Sequence, residues 1–261
     1  MLCSRLHGPE EHKMPHSKNG ILARASPVDL EDLRPHLRQV ELEHGRVIAE
    51  SRQRVDQVYF PHAGILSCVV ELEDGAAIES GMIGNDGAFG AAQALDDRLS
   101  LHKVVVQVPG RATVVDAKHL KAVTQSSPEL LALLIKYDQF FLGQVQQTTA
   151  CNALHSVEQR MCKWLVRMYD LVGTELPLTQ EFLAQMMGVR RTSVTTVASQ
   201  LQKEGLIFYR RGKIKILSME LVEQRACECQ RTVRELYVEM LGSVEGLRGP
   251  SSIEQTDPAR R

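Results

Sequence analysis

The chain has 261 residues, enough for two ordinary domains with cores of their own. With 43% hydrophobic and 24% charged residues it reads as a globular protein, and its net charge of −1 says little until the distribution of charge is known. No apolar run approaches the ~20 residues that span a bilayer. The first twenty residues carry acids and lack the apolar core of a secretory signal, so a cytoplasmic protein without membrane contact is expected.

Residues 1–19 read as a disordered tail. His7, His12 and His16 recur there among acids and lysines, which favours a solvated segment over a metal clamp. A first helix is predicted near Pro27 to His36, with proline at a favoured early position after Ser26. From Val40 to about Lys118 the pattern turns to short apolar or alternating runs: Val40–Leu42, Val47–Ala49, Gln57–Phe60, Ile65–Leu72, Ala76–Met82, Val104–Val108 and Thr113–Val115. Turn signals separate them at Glu73-Asp74-Gly75, Gly84-Asn85-Asp86-Gly87 and Pro109-Gly110. Regular short strands of this kind predict a sandwich or barrel, here a β-roll over residues 20–126. A roll of that size can enclose one small ligand.

Gly84 to Gly90, GNDGAFG, places three glycines in seven residues. Such a run can turn backbone amides inward as an anion-binding nest. With Arg98, Ser100 and His102, the residues Gly84, Asp86, Gly87 and Gly90 make a candidate effector pocket. The alternative is an ordinary turn-rich connection.

From Ser127 to about Cys151 the spacing becomes helical. Leu130, Leu134, Tyr137, Phe141, Val145 and Thr148 follow the 3-and-4 alternation of a coiled-coil seam. Leu131, Leu133 and Phe140 add apolar surface on other sides. A helix this apolar needs two partners, and a second copy of the chain is the economical one, giving a two-fold dimer over residues 127–151. The other reading is packing within the chain. Asn152 to Ser156 reads as a hinge, and Ser156 with Gln159 has the capping-box arrangement. The helix from Val157 to about Val172 then buries Met161, Trp164, Leu165, Met168 and Leu171.

Leu178 to Leu217 carries the most specific pattern. Thr179 can cap a short helix whose inward positions are Phe182, Leu183, Met186 and Met187. Gly188 ends it. A second helix from about Arg191 to Glu204 turns Val194, Val197, Ala198 and Leu201 inward. Strands at Leu206–Tyr209 and Lys213–Leu217 are joined at Arg210-Arg211-Gly212. Two helices about a glycine turn, followed by a hairpin, make a winged helix-turn-helix, assigned to residues 152–241. The residues in position to meet DNA are Thr179, Gln180, Arg190, Arg191, Thr192, Ser193, Thr195, Thr196, Ser199, Arg210, Arg211 and Lys213. Residues at the start of a recognition helix reach base edges, where arginine can pair with guanine and a threonine methyl can meet thymine. From Thr179 to Leu217 seven cations face two anions, a net +5 that leaves −6 for the remainder. Positive charge is concentrated where a polyanion would bind. The bland alternative is a small subdomain with a solvated basic face. A final helix is predicted from Met219 to about Leu241, capped by Ser218, and residues 242–261 read as a disordered tail.

Six cysteines are present, and no CxxC pair occurs. Cys227-Glu228-Cys229 is the only close pair. On one helix its two side chains would diverge, so no metal site and no cofactor are expected. His62, His102 and His119 are scattered, which disfavours a cupin-like metal module. A thiol-based redox regulator using Cys151, Cys162, Cys227 or Cys229 stays open as an alternative. No Ser/His/Asp or paired-carboxylate constellation points to an enzyme.

The order β-roll, long helix, hinge, winged helix-turn-helix, with the run LTQEFLAQMMGVRRTSVTTV from Leu178 to Val197, resembles the Crp/Fnr superfamily of bacterial transcription regulators. The resemblance covers roughly Ile21 to Leu241. It implies an α+β fold with a jelly-roll domain like the cyclic-nucleotide-binding domain, a dimerisation helix and a C-terminal DNA reader. It also implies a homodimer on a two-fold operator in double-stranded DNA, a possible contact with RNA polymerase and an unknown small effector. By motif position Arg191 corresponds to the guanine-reading arginine, and Thr179 and Gln180 to phosphate contacts. Thr192 and Thr196 stand where the family often has glutamate and a second arginine, which implies a different operator. Gly90 is followed by Ala91 instead of the glutamate of cyclic-nucleotide members, and no Arg-Ser pair opens the strand at Val104. Cys3 alone does not make the N-terminal cluster of iron–sulfur members.

Overall fold

The computed structural model describes residues 18–96 and 98–243. The expected tails at 1–19 and 242–261 lie almost wholly outside them. Asn19, expected in the first tail, is instead fully buried. Its side-chain amide donates to the carbonyls of Pro61 and Gly87, both at 2.8 Å.

The N-terminal half is an antiparallel sheet of five strands: β1 (Arg38–Leu42), β2 (Val47–Ala49), β3 (Gln57–Glu71), β4 (Ala77–Ile83) and β5 (Lys103–Asp116). The order is β1-β5-β3-β4, with β2 also on β5. The predicted pairs Gln57–Phe60 with Ile65–Leu72, and Val104–Val108 with Thr113–Val115, are each one continuous strand. Pro109-Gly110 is therefore no turn. It lies opposite Ala63-Gly64, where the β3–β5 register shifts three times. Gly64 has φ +87°, and a Cβ there would stand 2.5 Å from the Val108 carbonyl oxygen. Bulges of this kind bend a long strand pair without ending it. Around the sheet pack α1 (Pro27–Leu33), α2 (Ala91–Leu95) and α3 (Ala117–Ser126). The predicted first helix is shorter than expected, with Arg34–His36 continuing as a single 3-10 turn.

Helix α4 (Pro128–Leu154) runs three residues past its expected end, so the hinge narrows to His155 and Ser156. Its inward face corrects the predicted dimer seam. Leu130, Leu134 and Tyr137 are buried in a core shared with Leu33, Phe60, Leu120 and Val233, and Phe141 packs against the core of the roll. Ile135 (47% exposed) and Leu142 (56% exposed) point away from the protomer. The stripe Leu131, Ile135, Asp138, Leu142, Val145, Thr149 keeps the same 4-and-3 spacing on the open side. A one-residue phase error explains the difference: on a helix apolar on two sides, periodicity alone does not say which side meets which partner.

Helix α5 (Val157–Val172) starts at the predicted Ser156–Gln159 capping box and ends at Gly173. Then come β6 (Glu175–Leu176), α6 (Gln180–Met187), α7 (Arg191–Lys203), β7 (Ile207–Arg210) and β8 (Lys213–Ile216). The short β6, absent from the sequence pattern, pairs with β8 to make a three-stranded sheet. The predicted last helix is two helices, α8 (Met219–Arg225) and α9 (Cys229–Leu241), broken at Ala226–Glu228. Helix α9 lies along α4, and Tyr237 meets Phe140 edge-on with 5.0 Å between ring centroids. Arg24 reaches across to the end of α9, donating to the Leu241 carbonyl at 2.6 Å and to that of Gly242.

The winged region and the roll share a polar seam. Trp164 Nε1 donates to Glu79 Oε1 at 2.8 Å, and Ser67 Oγ donates to Glu79 Oε2 at 2.5 Å. Arg167 forms an ion pair with Asp86 at 2.7 Å and donates to the Met82 carbonyl at 3.2 Å. Arg167 is only 8% exposed. Burial works against its charge, but the Asp86 and Asp170 carboxylates together outweigh burial and favour the protonated guanidinium.

Candidate nucleic-acid interface

Thr179 caps α6 as expected: its side chain accepts from the Phe182 amide at 3.1 Å. Leu183, Ala184, Met186 and Met187 bury the inner face. Gly188 ends α6 in the left-handed region at φ +59°. The turn delivers α7 with Val194, Val197, Ala198 and Leu201 buried, as the spacing predicts. What remains outward is Arg190, Arg191, Thr192, Thr195, Thr196 and Ser199, all exposed, with Ser193 half-buried.

Local contacts shape this face. Thr195 Oγ1 lies 2.7 Å from Gln180 Oε1 and 3.0 Å from the Arg191 carbonyl, and Thr196 Oγ1 donates to the Thr192 carbonyl at 3.0 Å. With the hydroxyl protons engaged inside the protein, these threonines offer a partner their methyl groups and oxygen lone pairs. Arg191 sits 3.5 Å from Glu181, both about two-thirds exposed. Such a pair contributes ~0–1 kcal/mol and gives little resistance to re-aiming the guanidinium.

The wing completes the surface. Arg211 (φ +50°) and Gly212 (φ +74°) form the tip between β7 and β8, matching the two positive φ values of a type I′ hairpin turn. A Cβ on Gly212 would lie 3.3 Å from Thr179 Cγ2, so the wing tip stands beside the N-terminus of α6. Arg210, Arg211 and Lys213 are exposed there. All twelve residues singled out in the sequence thus fall on the two helices and the wing of one unit.

The seven residues of the expected effector pocket do not assemble into one. Asp86 is held by Arg167, and its carbonyl accepts from Tyr237 Oη at 3.0 Å. Gly84 and Gly87 are closed off: added Cβ atoms would stand 2.5 Å from Leu171 Cδ2 and 2.0 Å from Tyr137 Oη. Arg98 lies exposed beside Asp96, while Ser100 is buried and donates to the His102 carbonyl at 2.6 Å. Only Gly90 and His102 line a shared cavity, with Tyr137 and Phe141, and it measures about 20 Å³, room for roughly one water. The GNDGAFG run is therefore a packed connection between roll, α4 and α5. Of the other histidines weighed as metal ligands, His62 Nε2 meets Thr113 Oγ1 at 2.7 Å and His119 stacks on His36.

Sequence reasoning missed one cluster. The break at Ala226–Glu228 removes Cys227 from the helix that carries Cys229, and both approach Cys151 at the end of α4. The hydrogen bond between Cys151 and Cys227 raises the first thiol and lowers the second. A Cys-x3-His spacing at Cys151–His155, one helical turn, was the available signal.

The fold and this surface define a DNA-binding transcription regulator with a β-roll ahead of a winged helix-turn-helix. Residues 159–225 match the Crp-like helix-turn-helix domain. The CRP-like cAMP-activated global transcriptional regulator of Mycobacterium tuberculosis is 22% identical over 220 residues, covering 80% of this chain and 97% of the relative. FixK2 from Bradyrhizobium japonicum superposes with TM-score 0.64 at 13% identity, over 73% of this chain and 98% of its own. A CRP-family transcriptional regulator from Thermus thermophilus gives TM-score 0.61 at 18% identity, over 72% and 96%. Residues 159–225 thus carry a Crp-like helix-turn-helix domain, and the chain as a whole is similar in fold to Crp/Fnr-family transcription regulators.

Proposed function

We propose that the protein acts as a homodimeric, sequence-specific regulator in the cytoplasm, with the β-roll controlling the presentation of α7. The observation that carries this reading is the outward face of α7, polar and unburied along its length, flanked by a basic wing whose tip adjoins the α6 cap. In this reading Arg190, Arg191, Thr192, Ser193, Thr195, Thr196 and Ser199 meet bases or adjacent phosphates. Thr179 and Gln180 hold phosphate at the N-terminus of α6, and Arg210, Arg211 and Lys213 follow the backbone beside it. The open stripe of α4, centred on Ile135 and Leu142, pairs with its copy, which places two recognition helices on half-sites about one helical turn apart. RNA polymerase is a natural further partner for a DNA-bound dimer.

The mycobacterial relative is named as cAMP-activated. Here the space beside Gly90 is about 20 Å³, far below the ~300 Å³ of a small-molecule site. That packing leaves no room for a nucleotide beside Gly90.

Selection of bound sequences from random DNA by the full-length protein tests the reading. Two related half-sites, each containing a guanine and set about one turn apart, are expected. Recovery of unrelated sequences would reject it. Leu142→Glu should yield monomers in sedimentation and lose the paired site; a Leu142→Glu dimer of unchanged affinity would reject the α4 assignment.

A further inference from the structure

Three sulfurs and one imidazole converge where the long helix ends. Cys151 and His155 sit one turn apart at the C-terminus of α4, and Cys227 and Cys229 flank the break between α8 and α9. Their ligand atoms all lie within 4.8 Å of one another. Cys151 Sγ is 3.5 Å from Cys227 Sγ, and Cys229 Sγ is 3.5 Å from His155 Nδ1. A tetrahedral zinc ion, with Zn–S about 2.3 Å and Zn–N about 2.0–2.1 Å, separates its ligands by about 3.8 Å between sulfurs and about 3.6 Å between sulfur and nitrogen. The observed contacts match that spacing. A disulfide would need ~2.0 Å.

The surroundings are those of ligands held in place. Cys151, Cys227 and Cys229 are buried and form a cluster apart from the apolar cores. His155 Nε2 lies 3.5 Å from the Glu228 carboxylate, the partner that would fix the tautomer presenting Nδ1 to a metal. Gln147 Nε2 donates to Cys229 Sγ at 3.2 Å. The side chains of Lys163 and Arg160 bring positive charge to the edge of the cluster. Two positive charges beside three thiols suit a site that is anionic when filled.

We propose that Cys151, His155, Cys227 and Cys229 form a closed, four-ligand site for one zinc ion. Filling it releases the three thiol protons to solvent, and the product of Zn²⁺, three thiolates and neutral imidazole carries −1. With four protein ligands there is no open coordination position, so the ion is a fastener and not a reaction centre. It ties the last turn of α4 to the α8–α9 corner across the hinge at His155–Ser156. Arg160, next to the site, donates to the Met187 carbonyl at the end of α6, so the fastening extends to the helix-turn-helix.

The test is metal analysis of full-length protein purified under reducing conditions and equilibrated with nanomolar-buffered zinc. About one zinc per chain is expected. Cys151→Ser and Cys229→Ser should lose it, whereas Cys162→Ser, which alters a buried thiol outside the cluster, should keep it. A ligand variant that misfolds would also lose metal, so His155→Cys supplies the second arm. It keeps four ligands and should retain zinc, and its cobalt(II) form should show a tetrahedral spectrum shifted toward an all-thiolate site. Fully reduced wild type that takes up no zinc would overturn the proposal. So would zinc retained at full stoichiometry by a Cys151→Ser/Cys229→Ser double variant, a Cys151–Cys227 disulfide found in place of metal, or an iron–sulfur chromophore. Zinc is measured without DNA, so a negative result leaves the DNA-binding reading standing.

Discussion

The winged domain has two faces of opposite construction. Away from the roll, on the proposed DNA face, it presents exposed groups whose contacts are short in sequence, such as Thr196 to Thr192 and Arg191 to Glu181. Toward the roll it buries polar groups and one ion pair in contacts that span about eighty residues, Trp164 to Glu79 and Arg167 to Asp86. The first face is built to exchange partners at small energetic cost. The second is built so that separation leaves charged groups without partners in a desolvated place.

The largest effect should come from breaking that second face. Arg167→Leu removes the partner of Asp86 and should cost about 3–5 kcal/mol in urea unfolding. A cost below about 1 kcal/mol would mean that the seam is solvated like a surface pair.

Glu79 provides the next test, by pH. Burial raises its carboxyl from 4.5 to about 7, against the opposing hydrogen bonds from Ser67 and Trp164. The folded chain therefore holds a proton that the unfolded chain releases. The stability this group contributes is full below about pH 4.5 and is lost as pH rises through about 7. Over that window wild type should lose up to roughly 3 kcal/mol relative to Glu79→Gln. A difference that stays flat from acid to neutral pH would show that folding leaves the Glu79 pKa unchanged.

On the DNA face the effects are smaller and separate by kind. Arg191→Ala should cost ~1–3 kcal/mol on the selected operator and relax preference at one guanine. Unchanged affinity and specificity would remove Arg191 from the reading set. Lys213→Ala should weaken all DNA about equally and reduce the salt slope by about 1. A sequence-selective loss there would instead place the wing on bases.

This contrast also explains what was legible in the sequence. Elements α6, α7 and the wing follow from local rules: a capping threonine, a glycine turn, 3-and-4 spacing and a positive-φ hairpin. Their boundaries fell within two residues of expectation, and the winged unit follows from them. The Pro109-Gly110 signal suggests a strand end when considered alone, whereas its pairing with Ala63-Gly64 makes a bulge. The inward side of α4 differs from expectation because its competitors for burial, Val233 and Tyr237, lie a hundred residues on. No glycine or proline marks the break at Ala226, so the meeting of Cys151 with Cys227 was beyond pattern reasoning. The seam residues Glu79 and Arg167 gave no local sign of their partners at all.

Gly188 belongs to both faces. Its left-handed backbone makes the turn before α7, and a Cβ there would stand 2.8 Å from Ile78 Cδ1 on β4. The outer surface of α7 is therefore separable from the turn that seats the unit on the roll. The outer residues of α7 can be recoded for another operator with the turn left intact. Transplanting a whole winged domain, by contrast, would bring a foreign turn against Ile78, and any side chain at the Gly188 position would push the Ile78 terminal methyl aside.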